Sequence, residues 1–577
     1  MIKILAYARK YMLYILCAVV LLFVQAQCDL ALPEYMSDIV NNGVISSNTG
    51  YILKTGGTML LVTLLGTVCS ISVGYFAAVT AAGVSHDLRR DVFNKVVDFS
   101  SAELDQFSTS SLITRTTNDI TQIQTLLVLL IRMVFYAPIL GGGGIIKALE
   151  NSKTMSWIIA VAVLCLVGLV MILFAVALPK FKLVQKLVDR LNLVSRENLE
   201  GMLVTRAFNS QAFELERFDR ANRDLTETSL FVNRAMSVMM PTMMLIMNLT
   251  TVIIVWVGAK QVSALRIGVG DMMAYMQYAM QIIMSFLMLA MMFILIPRAA
   301  VSAGRIAEVL EAEFSILDPE EPAAMPADFS GEVVFDRVNF RFPGSEEDVL
   351  HQVSFTAKPG QTTAIIGATG SGKSTLMNLI LRFYDVTGGR ILIGGRDIRE
   401  LDRRTLRQLI GYVPQKNVLF SGTIESNLRY GSPQAEDEVL DKAAEVAQAA
   451  DFIAGKEEGL ASAVAQGGGN FSGGQKQRLA IARALVKQAP VYIFDDSFSA
   501  LDLKTDSKLR QALKRETGGS TILLIAQRVG TIMEAEQIIV FDNGTIAGMG
   551  THRQLLESCE VYRQIARSQL SEKELMG

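Results

Sequence analysis

Histidine and cysteine are scarce in this chain, with three of the first and five of the second in 577 residues. The cysteines are Cys17, Cys28, Cys69, Cys165 and Cys559. None forms a CxxC pair and four lie inside or at the ends of apolar runs, so they read as small apolar filler rather than metal ligands or disulfides. Bulk charge is missing as well. The formal net charge is −2 and no block of five or six like charges occurs, so nothing points to nucleic acid as a partner. What the chain has in excess is apolar residues, 51% of the total with a mean hydropathy of +0.35, gathered in long runs before about residue 300. At this length one core is not enough, and at least two domains are expected.

Six runs reach the roughly 20 apolar residues that a bilayer core requires: Tyr11 to Leu32, Thr55 to Ala82, Thr125 to Ile146, Met155 to Leu178, Met236 to Ala259 and Met272 to Ile296. The stretch "LLFVQAQC" resembles a lipoprotein cleavage box only loosely, since Gln27 is a poor residue before Cys28, and it is read as part of a retained first span. Lysines and arginines flank the spans unequally. Lys3, Arg9 and Lys10 precede the first, Arg89, Arg90 and Lys95 follow the second, Lys180, Lys182 and Lys186 follow the fourth, and Arg298 and Arg305 follow the sixth, which puts both termini in the cytoplasm. Polar segments of about 40 to 55 residues with helical periodicity join spans two to three and four to five, and are expected to project as long helical extensions. No acid is read in a span interior, which argues against a proton-coupled carrier. Arg132 is the charge that stands out, as a functional group or as an arginine snorkelling to the interface.

Fourteen of the 27 methionines fall between Met236 and Met292, and Met272, Met276, Met280, Met284, Met288 and Met292 recur every fourth residue. Such a ridge suits a surface that must fit several apolar shapes, so Met280, Met284 and Met288 are candidate substrate contacts; ordinary packing is the alternative.

After the sixth span, "LDPEEPAAMPADFSG" reads as an exposed linker. Beyond it short β-rich runs alternate with helical ones. The expected fold is a membrane α-helical domain of six spans (1–315), a linker (316–330) and an α/β P-loop nucleotide domain (331–577). Its centre is "GATGSGKST", Gly367 to Thr375, between an apolar strand and an apolar helix. The glycines let the backbone N–H groups of Gly367, Thr369, Gly370, Ser371, Gly372 and Thr375 wrap phosphates at a helix N-terminus, Lys373 reaches the outer phosphates, and Ser374 ligates magnesium.

With "VPQ" ending at Gln415, "FSGGQKQRLAIARAL" from Phe471 and "SALD" ending at Asp502, the chain resembles the ABC transporters, and six spans ahead of one cassette resemble a half-transporter of the exporter type. The resemblance implies ATP and Mg2+ as cofactors. It also implies that Phe342 stacks on adenine, that Gln415 senses magnesium and the attacking water, and that Asp495 holds magnesium. Ser472, Gly473 and Gly474 match the signature that closes on ATP held by a second cassette.

Two positions depart from the family pattern. Asp496 stands where the family normally has the catalytic Glu, and Gln527 replaces the switch histidine. Both changes weaken the chain's own site while the signature stays nearly intact, a pattern that resembles heterodimeric bacterial multidrug exporters. The expectation is therefore a plasma-membrane exporter subunit that pairs with a second half-transporter carrying intact Glu and His, and that moves hydrophobic small molecules or lipids. A regulatory or gating subunit and a slow homodimeric exporter are the alternatives.

Overall fold

A computed structural model describes residues 4, 6–325 and 329–571. Lys3 lies outside the described residues, as do the side chains of Lys182 and Arg298. The chain forms two compact units, one of Met1–Asp98 with Ser108–Ala312, the other of Phe99–Phe107 with Glu313–Gly577.

Among the described residues of the first unit, six helices are long and apolar enough to cross a membrane: Tyr7–Val44, Thr49–Val97, Thr109–Asn151, Ser156–Glu200, Gln211–Ser263 and Val269–Met292, the last continuing as helix to Glu311. They outrun the hydropathy spans because apolarity marks only the lipid slab, whereas helical hydrogen bonding continues through the polar extensions. There i,i+4 ion pairs such as Arg220 with Glu216 and Arg223 with Asp219 line the helix surface. The chain turns back between the fourth and fifth helices around Gly201 and Asn209, the latter with φ of 53°. Helices three and six approach closely because Gly141 and Gly144 face Ser285 and Ile282 without a Cβ between them.

One expectation needs correction, that no acid sits in a span interior. The first helix continues past Leu32, its α-helical stretch running Met12–Asp38 with Pro33 inside it before Ile39–Val44, and the half-buried Asp29 lies where Tyr136 of helix three donates to its carboxylate at 2.5 Å. Proline cannot supply the N–H that the Asp29 carbonyl would otherwise accept one turn on. Gln281 Nε2 of helix six bonds that carbonyl instead, at 2.9 Å, so the helix survives its proline and carries an acid inside.

The methionine ridge divides. Met272 and Met276 pack against the cluster of Met155, Ile254, Tyr275 and Tyr278, and Met292 is buried. Met280 and Met284 are 47% and 44% exposed, Met288 is half-buried, and Arg132 is exposed.

The second unit contains a six-stranded sheet in the order 545–550, 537–542, 362–367, 521–525, 491–495, 410–413, parallel except for the first strand. A four-stranded sheet built on Val333–Phe340 and Leu350–Ala357 accompanies it. The stretch 316–325 runs along this unit: Arg382 donates to the Leu317 carbonyl, the Arg403 backbone N–H to Asp318, and the Ala323 N–H to Glu400. Phe99–Phe107, from between spans two and three, belongs here too. Ser100 and Glu103 form a capping box on the helix Ser101–Gln106, Glu103 also accepts from the Ser315 N–H at 2.8 Å, and Tyr384 donates to Asp105 at 2.6 Å.

Candidate nucleotide site

Four neighbouring parallel strands run the same way, and their C-terminal ends deliver residues far apart in sequence to one crevice, as open α/β sheets do. Thr362–Gly367 leads into the glycine loop, Val491–Asp495 ends on an acid, Thr521–Ile525 precedes Gln527, and Ile410–Val413 precedes Gln415. Each run is rich in β-branched, aromatic or leucine residues, and strands buried on both faces need such apolar composition.

The loop bends through glycines that no other residue replaces cheaply. Gly370 has φ of 84° and Gly372 of 98°, the latter as left-handed N-cap of the helix Lys373–Ile380. Lys373 Nζ donates to the carbonyls of Gly367 at 2.9 Å and Ala368 at 2.6 Å. Burial pushes its ammonium pKa down, which primes it for an anionic partner. Ser374 Oγ donates to Asp495 Oδ1 at 3.1 Å, so the hydroxyl and the strand-end carboxylate expected to share a metal are already adjacent. Ser371 and Thr375 are buried beneath the loop.

Asp496 sits one residue past the strand, 8% exposed and with φ of 47°, a left-handed conformation that aspartate tolerates better than most side chains. Its Oδ2 accepts from Gln527 Nε2 at 2.7 Å and, more loosely, from Gln415 Nε2 at 3.5 Å. The two departures from the family pattern are therefore bonded to each other. Burial raises the pKa of both Asp495 and Asp496, and the neighbouring Asp496 charge adds to the rise at Asp495.

Ser472 caps the helix Gly473–Val486 through a capping box with Gln475. Ser472 and Gly473 are exposed and Gly474 half-buried, and among the described residues Ser472 makes no hydrogen bond to the glycine loop. Phe342 packs edge-on against Tyr384, with ring centroids 5.4 Å apart, beside a cavity of about 540 Å³ that Phe342, Tyr384 and Ser315 help to line.

Sequence reasoning missed Gln477. It is buried one turn into the signature helix, donating to the Asp496 carbonyl at 3.4 Å and accepting from the Ala500 N–H at 3.1 Å, so it ties that helix to the acid. Its place in "SGGQKQ" was visible, but a buried glutamine looks like an exposed one in sequence. Tyr384 and Asp105 were missed because nothing local marks their contact.

Comparison with known proteins agrees with this geometry. Residues 350–499 match the ABC transporter model and 15–286 the ABC transporter transmembrane region. The chain is 39% identical to an uncharacterized ABC transporter ATP-binding protein of Mycobacterium tuberculosis over 97% of each. It is 32% identical to an ATP-dependent lipid A-core flippase of Pseudomonas fluorescens, over 86% of this chain and 82% of that one. The structure of a bacterial Atm1-family ABC exporter with ATP bound superposes with a TM-score of 0.80 at 25% identity, covering 97% of this chain and 98% of that one. With its transmembrane region and its ATP-binding domain in one polypeptide, this chain belongs to the ABC transporter family.

Proposed function

We propose that the chain is one half of an ATP-driven heterodimeric exporter of amphipathic compounds, drugs or lipids, and that its own nucleotide site holds ATP more than it hydrolyses it. The observation that carries this reading is the bond between Asp496 and Gln527. A carboxylate that polarises water must reach it, and Asp is one methylene shorter than Glu. Here one of its oxygens is also engaged by an amide at 2.7 Å. A misplacement of about 1 Å can cost roughly a hundredfold in rate. Gln527 can hydrogen-bond a phosphate but cannot become charged there.

In this reading Phe342 stacks on the adenine, Lys373 exchanges the carbonyls of Gly367 and Ala368 for the outer phosphates, and Ser374 and Asp495 hold magnesium, with Gln415 near the water. Two buried carboxylates with raised pKa values suit a divalent cation, which when bound neutralises charge at the phosphates. Ser472, Gly473 and Gly474 complete the site of a partner that has an intact Glu and His. The flanking Arg9, Lys10, Arg89 and Arg90 support cytoplasmic termini and cassette in a plasma-membrane protein. Leu203 and Phe208, exposed at the far turn of a long extension, fit a surface that a second subunit covers.

The test is coexpression with a second half-transporter, copurification, and reconstitution into vesicles. ATP-dependent movement of an amphipathic compound is expected, and Ser472→Ala should nearly abolish it. ATP binding without movement would favour a regulatory subunit, and full activity of the lone chain a homodimer.

A further inference from the structure

Asp29, Tyr136 and Gln281 come from helices one, three and six and meet inside the first unit. Their depth follows from the helix rise of 1.5 Å per residue. Asp29 lies about 22 Å along its helix from Val44, Tyr136 about 22 Å from Asn151, and Gln281 about 18 Å from Val269, all measured from the end where short connections join the helices. The three agree, and that depth is inside a hydrocarbon slab of about 30 Å.

The chemistry there is one-sided. Among the described residues no lysine, arginine or histidine pairs with Asp29, although Lys147 pairs with Glu34 and Glu150 at the same end of the bundle. Arg132, one turn from Tyr136, is exposed and does not reach the carboxylate. Tyr136 satisfies Asp29 Oδ2 only. The Gln281 amide spends its N–H on the Asp29 carbonyl, which Pro33 leaves without its helical donor, so Gln281 Oε1 is buried with no hydrogen-bond partner. Gly66 of helix two lies against this turn of helix one, where a Cβ would stand 3.3 Å from Cys28 Cβ and 4.0 Å from Asp29 Oδ1. Asp29 Oδ1 and Gln281 Oε1, neither of which accepts a hydrogen bond among the described residues, ask for a cation that carries N–H groups. Met280 and Met284, exposed on the helix that carries Gln281, supply an adaptable apolar surface alongside.

We propose that Asp29, with Tyr136 and Gln281, forms an intramembrane site for the protonated amine of an amphipathic ligand whose apolar body lies on Met280 and Met284. The proposal rests on the exporter reading above and names the substrate class for it. The ammonium replaces the missing donors, and a neutral or anionic analogue leaves them missing.

The test uses the full-length protein in detergent and two fluorescent probes that differ at one group: dansylcadaverine, a primary ammonium at neutral pH, and its N-acetyl derivative, which is neutral. Fluorescence anisotropy should show the amine binding roughly 10- to 100-fold tighter than the amide, the range of a charge-assisted interaction. Asp29→Asn should erase that preference without weakening the amide, Asp29→Glu should retain most of it, and Tyr136→Phe should keep amine binding. Equal affinity of the wild-type protein for both probes overturns the site, and so does a preference that survives Asp29→Asn or an equal loss of both probes. If Asp29→Asn does not fold, the wild-type comparison decides. Asp29-dependent amine binding without ATP-driven uptake in vesicles would support the site and overturn the exporter reading; uptake with no amine preference would do the reverse.

Discussion

Asp496 and Gln527 are 31 positions apart in sequence and joined by one hydrogen bond, so neither substitution acts alone. In the complex with a partner subunit, Asp496→Glu and Gln527→His together should restore hydrolysis at this site by more than the product of their separate effects, by roughly fivefold. Additive effects would mean that the bond is incidental. A second expectation concerns pH. Burial raises the folded pKa of Asp495 and Asp496 above the ordinary 3.8. The stability tied to their protonation is full below that value and is lost as pH rises through the raised values, so at neutral pH both carboxylates cost the fold. Asp496→Asn should therefore raise the melting temperature of the nucleotide-free protein at pH 7, and the gap should close towards pH 4. At this scale the sequence disclosed which side chains gather at the crevice, from Lys373 to Asp496, because motif spacing is local. It did not disclose that the two unusual residues touch, since that depends on parallel pairing of Val491–Asp495 with Thr521–Ile525.

Among the elements, the six spanning helices were legible as apolar runs, but their lengths were not. Hydropathy reports lipid, and the helix Thr49–Val97 continues well past Ala82 with no apolar signal to mark it. Asp29 was lost for the same reason: a span read as ending near Leu32 leaves an acid near its edge, whereas the continuing helix places it inside. The excursion Phe99–Phe107 has its own consequence. Tyr384→Phe removes the bond to Asp105, worth about 1–2 kcal/mol, and should speed hydrogen exchange of the 99–107 amides by roughly tenfold while leaving the strand Thr362–Gly367 unchanged. On the sixth helix, replacing Met280 and Met284 by Ala should reorder the transported compounds more than it changes basal ATPase, because those two side chains are exposed where Met292 is buried. Equal loss for every compound would assign them to packing.

For the whole molecule, the proposed pairing of two incomplete halves would account for a retained signature beside Asp496 and Gln527 in the chain's own site. If Ser472 acts on another subunit's nucleotide as proposed, its loss should lower turnover of the complex by roughly a hundredfold or more, whereas Asp496→Asn should change it by less than about twofold. The most direct measurement is the ATPase rate of the purified lone chain beside that of the same chain copurified with a partner bearing Glu and His. The expected result is a lone-chain rate roughly a hundredfold or more below the 1 s⁻¹ typical of slow enzymes, with ATP rather than ADP retained after rapid desalting, and ordinary turnover in the complex. A lone chain that hydrolyses ATP as fast as the complex, and retains ADP, would contradict the holding site and make Asp496 a working base.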